Sequence, residues 1–164
     1  MKRFSLVLLV LFFFAAGPAA AQQYSNQLKK LLIDLPGWNG EDPEGADMAF
    51  NQITMITAAR AYTKGDATLN TGIIIGGASN VDKIPKTTYE TEEGFLRIEK
   101  VKGYDTYISY NKKDKSGSIF VLLATNPHSG ILTFTFEGID WSTALDLAKK
   151  YDWDAMKKVT GSIK

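Results

Sequence analysis

Between Ser118 and Gly138 the chain reads SIFVLLATNPHSGILTFTFEG, two apolar strands around a turn, and no other stretch restricts the fold as much. Side chains alternate along a strand, so Ile119, Val121 and Leu123 take one face while Phe120, Leu122 and Ala124 take the other. Both faces of this strand are apolar, the pattern of a central strand covered on two sides. In the second strand Leu132, Phe134 and Phe136 share a buried face, and Thr133, Thr135 and Glu137 point to a wetter one. Asn126, Pro127, His128, Ser129 and Gly130 supply the turn, because Pro lacks a ladder N–H and Gly accepts positive φ.

The N-terminus carries a different kind of signal. Met1, Lys2 and Arg3 give a positive start, Phe4 to Ala16 give an apolar run of 13 residues, and Gly17-Pro18 interrupts it before Ala19-Ala20-Ala21. This is the pattern of a secretory signal peptide over residues 1–21, with cleavage expected before Gln22. An uncleaved anchor is the alternative, but the run is short against the roughly 20 residues that span a bilayer. The chain has no Cys, so it cannot take a thioether-linked lipid. The expectation is a periplasmic or secreted protein, soluble after cleavage, with residues 22–164 forming a single domain.

Removal of the first 21 residues leaves 143, with 17 Lys and Arg against 18 Asp and Glu, a net charge of −1. A domain of that length buries roughly 68% of its unfolded surface, enough for a core without disulfide staples. The near-neutral balance argues against a nucleic-acid binder, whose affinity needs clustered Lys and Arg. Lys112, Lys113 and Lys115 form the one basic cluster, and they fall in a turn.

From Ser25, an N-cap for a helix, Leu28, Leu31, Leu32 and Leu35 fall at helical spacing, and the helix ends before Pro36. Leu31, Ile33 and Leu35 also fit an edge strand. Trp38 follows Pro36-Gly37 and is expected to fold back over the core. Glu41, Asp42, Glu44 and Asp47 form an acidic loop that lacks the D-x-D-x-D-G order of a calcium loop, which favours a solvated linker. Met48 to Tyr62 alternates as one long strand, Lys64-Gly65-Asp66 turns, and Ala67 to Ile75 returns. Gly76-Gly77-Ala78-Ser79-Asn80 has neither ending of a phosphate loop and reads as a strand exit, with one helical turn over Val81 to Ile84.

A meander follows, with strands over Phe95 to Val101 and Tyr104 to Asn111 leading into the hairpin. Asp140 opens an amphipathic helix with Trp141, Ala144, Leu145, Ala148 and Tyr151 inward, and Asp152 caps a second one carrying Trp153, Met156 and Val159 until Gly161. The predicted class is α+β: an antiparallel sheet of about six strands with two C-terminal helices, and an N-terminal helix, packed on it. The Leu35-Pro36-Gly37-Trp38 lead-in, the central antiparallel strands and the closing helix resemble, in layout, small exported proteins of the PsbP and Mog1-like α/β/α sandwich class. That resemblance implies a binding or assembly-factor role and carries over no catalytic residue.

The chemical inventory agrees. With no Cys and His128 as the single His, there is no thiol nucleophile and no multi-histidine metal site. A serine triad would need His128 as base, and a turn residue is the simpler reading of its setting. Glu92 and Glu93 diverge on an extended chain, so they are not a glycosidase-like pair. The expectation is therefore an exported, non-enzymatic binding or accessory module of the cell envelope, with no cofactor, no metal and no catalytic residues. Its partner is an envelope protein or small ligand, bound at a sheet edge or at a groove beside Trp38 and the Gly76–Tyr89 loop, with Trp38, Tyr89 and His128 as ligand-binding residues. The alternative is a small hydrolase dependent on carboxylates and His128.

Overall fold

The computed structural model describes residues 23–50, 53–76 and 87–163. The expected signal peptide and the Gly77 to Ile84 readings lie outside the described residues. In chain order the elements are α1 (Gln23–Lys29), β1 (Asn39–Gly40), β2 (Glu44–Phe50), β3 (Ile53–Lys64), β4 (Ala67–Gly76), β5 (Tyr89–Glu90), β6 (Gly94–Val101), β7 (Tyr104–Asn111), β8 (Ser116–Ala124), β9 (Gly130–Glu137), α2 (Trp141–Ala148) and α3 (Trp153–Ser162). The strands make one antiparallel sheet in the order β1-β3-β4-β9-β8-β7-β6-β5, with β2 also paired to β3. The class is α+β, as the alternation pattern predicts.

The sheet has nine strands rather than about six. Two of the extra strands, β1 and β5, are two residues long, too short to show alternation. The third is β2. What reads as one long strand from Met48 is a hairpin in which Phe50 is in register with Ile53, and the acidic loop contributes its first residues, Glu44 to Asp47. Asn51-Gln52 between the arms carries no Gly or Pro, so the sequence offers no conspicuous turn signal there.

Alternation decides which side chains form the core. In β4, Ala67, Leu69, Thr71, Ile73 and Ile75 are buried, and in β9, Gly130, Leu132, Phe134 and Phe136 are. Ile119, Val121 and Leu123 of β8, Thr106, Ile108 and Tyr110 of β7, and Ile56, Ala58 and Tyr62 of β3 complete this inner face. All three helices lay their apolar residues on it, and one core cluster joins Leu28 and Leu32 near α1, Ala144 and Leu145 of α2, and Trp153 and Met156 of α3 to these strands. The Tyr151 ring meets Phe134 edge-on at 5.2 Å. Its hydroxyl donates to Tyr62 Oη at 2.9 Å and lies 3.3 Å from Thr71 Oγ1, so the polar tip buried in this core is satisfied.

Two helix starts depart from simple capping. The N-terminal helix is shorter than the leucine spacing suggests: it stops at Lys29, and turn bonds from Leu31 N–H to Leu28 O and from Leu32 N–H to Lys29 O carry the chain onward. Ser25 is buried inside it rather than capping it. The Asp47 carboxylate of β2 accepts from Tyr24 N–H at 3.0 Å and Ser25 N–H at 2.7 Å, and so serves the free amides of the first turn from another strand. Asp140 occupies the α2 N-cap without a capping bond, because its carboxylate accepts from Tyr110 Oη instead. Asp152 does cap α3, accepting from Ala155 N–H, and that helix runs through Gly161 to Ser162.

Arg60 straps the segment between α1 and β1 to the sheet. Its guanidinium donates to Leu32 O, Glu41 O and Asp34 Oδ1, and Tyr62 Oη donates to Ile33 O. Between β6 and β7 the two-residue turn Lys102-Gly103 has φ of 52° and 85°, the left-handed pair that a tight antiparallel hairpin requires. Lys102 Nζ then reaches Lys149 O and Tyr151 O, and so satisfies carbonyls at the end of α2.

Candidate functional site

Trp38, Tyr89 and His128 are not brought together. Trp38 leads into β1 and Tyr89 lies in β5, the two terminal positions of the sheet order. Seven strand spacings of about 4.8 Å put them about 34 Å apart along the sheet. Trp38 is half-buried against the core, and its backbone N–H donates to Leu35 O. His128 sits in the β8–β9 turn, at the end of the sheet where Gly76 N–H donates to Ser129 O. Trp38 is near the start of β4 and Gly76 is at the finish of that ten-residue strand. The described ends of the Gly76–Tyr89 loop are thus remote from Trp38. Of the three, Tyr89 alone stands on the surface described next, at its border and 55% exposed.

That surface is the second face of the sheet. Since the helices all pack on the inner face, the other one carries no described helix. Cross-strand partners define its rows. The central row runs Ala59, Gly72, Thr133, Phe120, Tyr107, Ile98 from β3 to β6. One step toward the β3–β4 turn lie Ala61, Asn70, Thr135, Ser118, Ser109 and Leu96, with Tyr89 beyond. One step the other way lie Thr57, Ile74, Ile131 and Leu122. None of these side chains is charged. The last row runs on from Leu122 into Asp105 of β7 and Lys100 of β6, which pair at 2.7 Å, and Glu44 of β2 stands beside Ala59 at the other end of the central row.

The centre of this face is apolar and wet. Phe120 is 36% exposed and Ile74 41%, while Leu122, Ile131, Tyr107 and Ile98 are half-buried. The sequence marks β8 as apolar on both sides, which suggests two covers. Among the described elements only one cover exists. A contiguous apolar surface of this kind marks a place where something else binds.

Apart from Arg60, the shifted acid–base groups among the described residues are tyrosines and one carboxylate. Burial, with a hydrogen bond to Asp154, pushes the Tyr104 hydroxyl up to about 12. Burial raises Tyr62, Tyr110 and Tyr151 as well. The Arg97 guanidinium holds Glu90 below the usual carboxylate range. Every one of these moves is away from neutrality, opposite to the tuning expected of a general acid or base. His128 has no described hydrogen bond to a carboxylate that would orient it as a base. Among the described residues no group of three or more His, Cys, Asp and Glu side chains could hold a metal ion. A shallow open depression lined by Asn26, Lys29, Lys30 and Pro43 lacks the enclosure of a small-molecule site. No described helix is long and apolar enough to cross a membrane.

No protein-family model matches the chain, and neither a curated protein nor a solved structure does. The class that fold and surface define is a two-layer α+β domain, within the described residues, with helices on one side of an antiparallel sheet and a largely apolar and neutral polar face on the other.

Proposed function

We propose that this is an exported, non-enzymatic binding module of the cell envelope, and that the sheet face without described helices is where it binds. The observation that carries the reading is the central row of that face, with Phe120 over one third exposed in the middle of a nine-stranded sheet. A broad sheet face suits a protein surface better than a small ligand, which needs a concave site to bury most of its area. The PsbP and Mog1-like resemblance points the same way, toward binding or assembly. Export follows from the N-terminal pattern of charge, apolar run and small residues.

The test is a matched pair of proteins beginning at Gln22, wild type and Phe120→Glu, used to capture interactors from envelope extract. A partner retained by wild type and lost at least tenfold on Phe120→Glu supports the reading, because a buried unpaired carboxylate opposes docking strongly. Retention unchanged by the substitution would place binding elsewhere. Small-molecule turnover that disappears in a His128→Ala variant with its fold intact would favour the hydrolase instead.

A further inference from the structure

Away from the sheet face, we infer that Asn39-Gly40 is a site of spontaneous covalent modification, where the folded protein deamidates and the isoaspartate product loosens the strap between α1 and β1. Of the seven asparagines in the chain, Asn39 alone precedes a glycine. The reaction stays within this dipeptide. The deprotonated Gly40 nitrogen attacks Asn39 Cγ, an N–C bond forms, and the bond from Cγ to the amide nitrogen breaks with release of ammonia. Water then opens the cyclic imide at either carbonyl, giving aspartate or, with the backbone routed through the former side chain, isoaspartate. A side chain on the following residue would crowd the closing ring, and Gly40 has none.

The fold presents both reacting groups. Strand β1 ends the sheet order and Asn39 is exposed on it. Asn39 stands opposite Thr63 and Gly40 opposite Tyr62, while Glu41 N–H donates to Ala61 O at 2.9 Å. Ladder bonds alternate along an antiparallel pair, so Gly40 falls at the non-bonded position and its N–H points away from β3. The Arg60 guanidinium lies against this residue, where an added Cβ would meet Nη2 at 2.9 Å. A cation so close favours the negative nitrogen that must attack. Ring closure also takes Asn39 out of its extended geometry, and a two-residue strand at the end of a sheet opens at small cost. Isoaspartate lengthens the backbone by a methylene. Glu41, which holds Ala61 through its N–H and Arg60 Nε through its carbonyl, then shifts along β3 and out of register.

The protein from Gln22 onward is held at mildly alkaline pH, folded in one series and unfolded in guanidinium chloride in another, and mapped at intervals by peptide mass spectrometry. The folded protein is expected to exchange amide for acid at Asn39 within about tenfold of the unfolded rate, as a locally opening strand allows. The modified peptide should separate into aspartate and isoaspartate forms, and the loss at Asn39 should exceed that at the six other asparagines combined. Asn39→Gln keeps an amide but lengthens the ring that must close, so it should lose the mass change while its circular dichroism matches wild type. In the isoaspartate form, hydrogen exchange at Glu41 N–H should quicken while β8 and β9 keep their protection. An Asn39 amide that survives in the folded protein while the unfolded chain loses it would overturn the inference. So would loss spread evenly over the asparagines, or unchanged exchange at Glu41 in the isoaspartate form.

Discussion

Replacing Phe134 by Ala is expected to cost about 3 to 5 kcal/mol of folding stability, against less than about 1 kcal/mol for Thr133→Ala beside it. Phe134 is completely buried on the inner face, between Thr71 of β4 and Ile119 of β8, with the Tyr151 ring edge-on above it. Truncation removes a whole ring from a site whose neighbours are held by the sheet on one side and the Tyr62–Tyr151 hydrogen bond on the other. The cavity cannot collapse easily, so the loss lies well above that of an ordinary surface change. Thr133 points to the other face, where its hydroxyl donates to Gly72 O. Chemical denaturation of the two variants checks the difference, and equal losses would mean the strand register is wrong.

Trp153→Ala belongs in the same range, about 3 to 5 kcal/mol. Its ring is fully buried, meets Tyr104 at 5.7 Å and lies under Lys102 Nζ at 5.0 Å, while its Nε1–H donates to Ala148 O at 2.9 Å. One side chain thus ties the start of α3, the end of α2 and the β6–β7 hairpin together. Removing it opens a cavity and loses a hydrogen bond across the junction of the two helices. Trp141→Ala should cost only about 1 to 2 kcal/mol, in proportion to the apolar area it buries. That residue is half-buried at the rim, edge-on to Phe95 at 5.5 Å with Arg97 beside it, so it is not the central contact its helical spacing suggests. A thermal or denaturant series on both Trp variants measures the ratio.

The strands with long alternating patterns and glycine turns are legible from residues alone. Leu132, Phe134 and Phe136 against Thr133 and Thr135, and the Lys64-Gly65-Asp66 and Lys102-Gly103 turns, place β3, β4, β6, β7, β8 and β9. The failures have local causes. Two residues of β1 or β5 hold no period, and Asp47 reads as part of an acidic loop because nothing in its neighbourhood shows that its carboxylate will cap a helix 22 residues earlier. The site is half legible. Apolar residues at Phe120, Leu122 and Ala124 do show that β8 has a second apolar face, but that pattern is the same whether the cover comes from the chain's own helix or from outside it. Trp38 and Tyr89 group together only through their nearness to loops in the sequence, and the strand order shows them at opposite ends of the sheet.

The two-faced sheet is the claim on which binding depends, and adjacent residues of β8 test it most directly. Ile119 is fully buried under the helices, and Phe120 points the other way and is 36% exposed. Both are changed to Glu and followed by urea unfolding, at a concentration low enough that separate copies do not associate. Phe120→Glu is predicted to unfold within about 1 kcal/mol of wild type, the range of exposed sites, while Ile119→Glu buries a charge without a partner and should show no cooperative transition at all. Comparable collapse of both variants would contradict the account, because it would mean that the outer face is closed within the single chain.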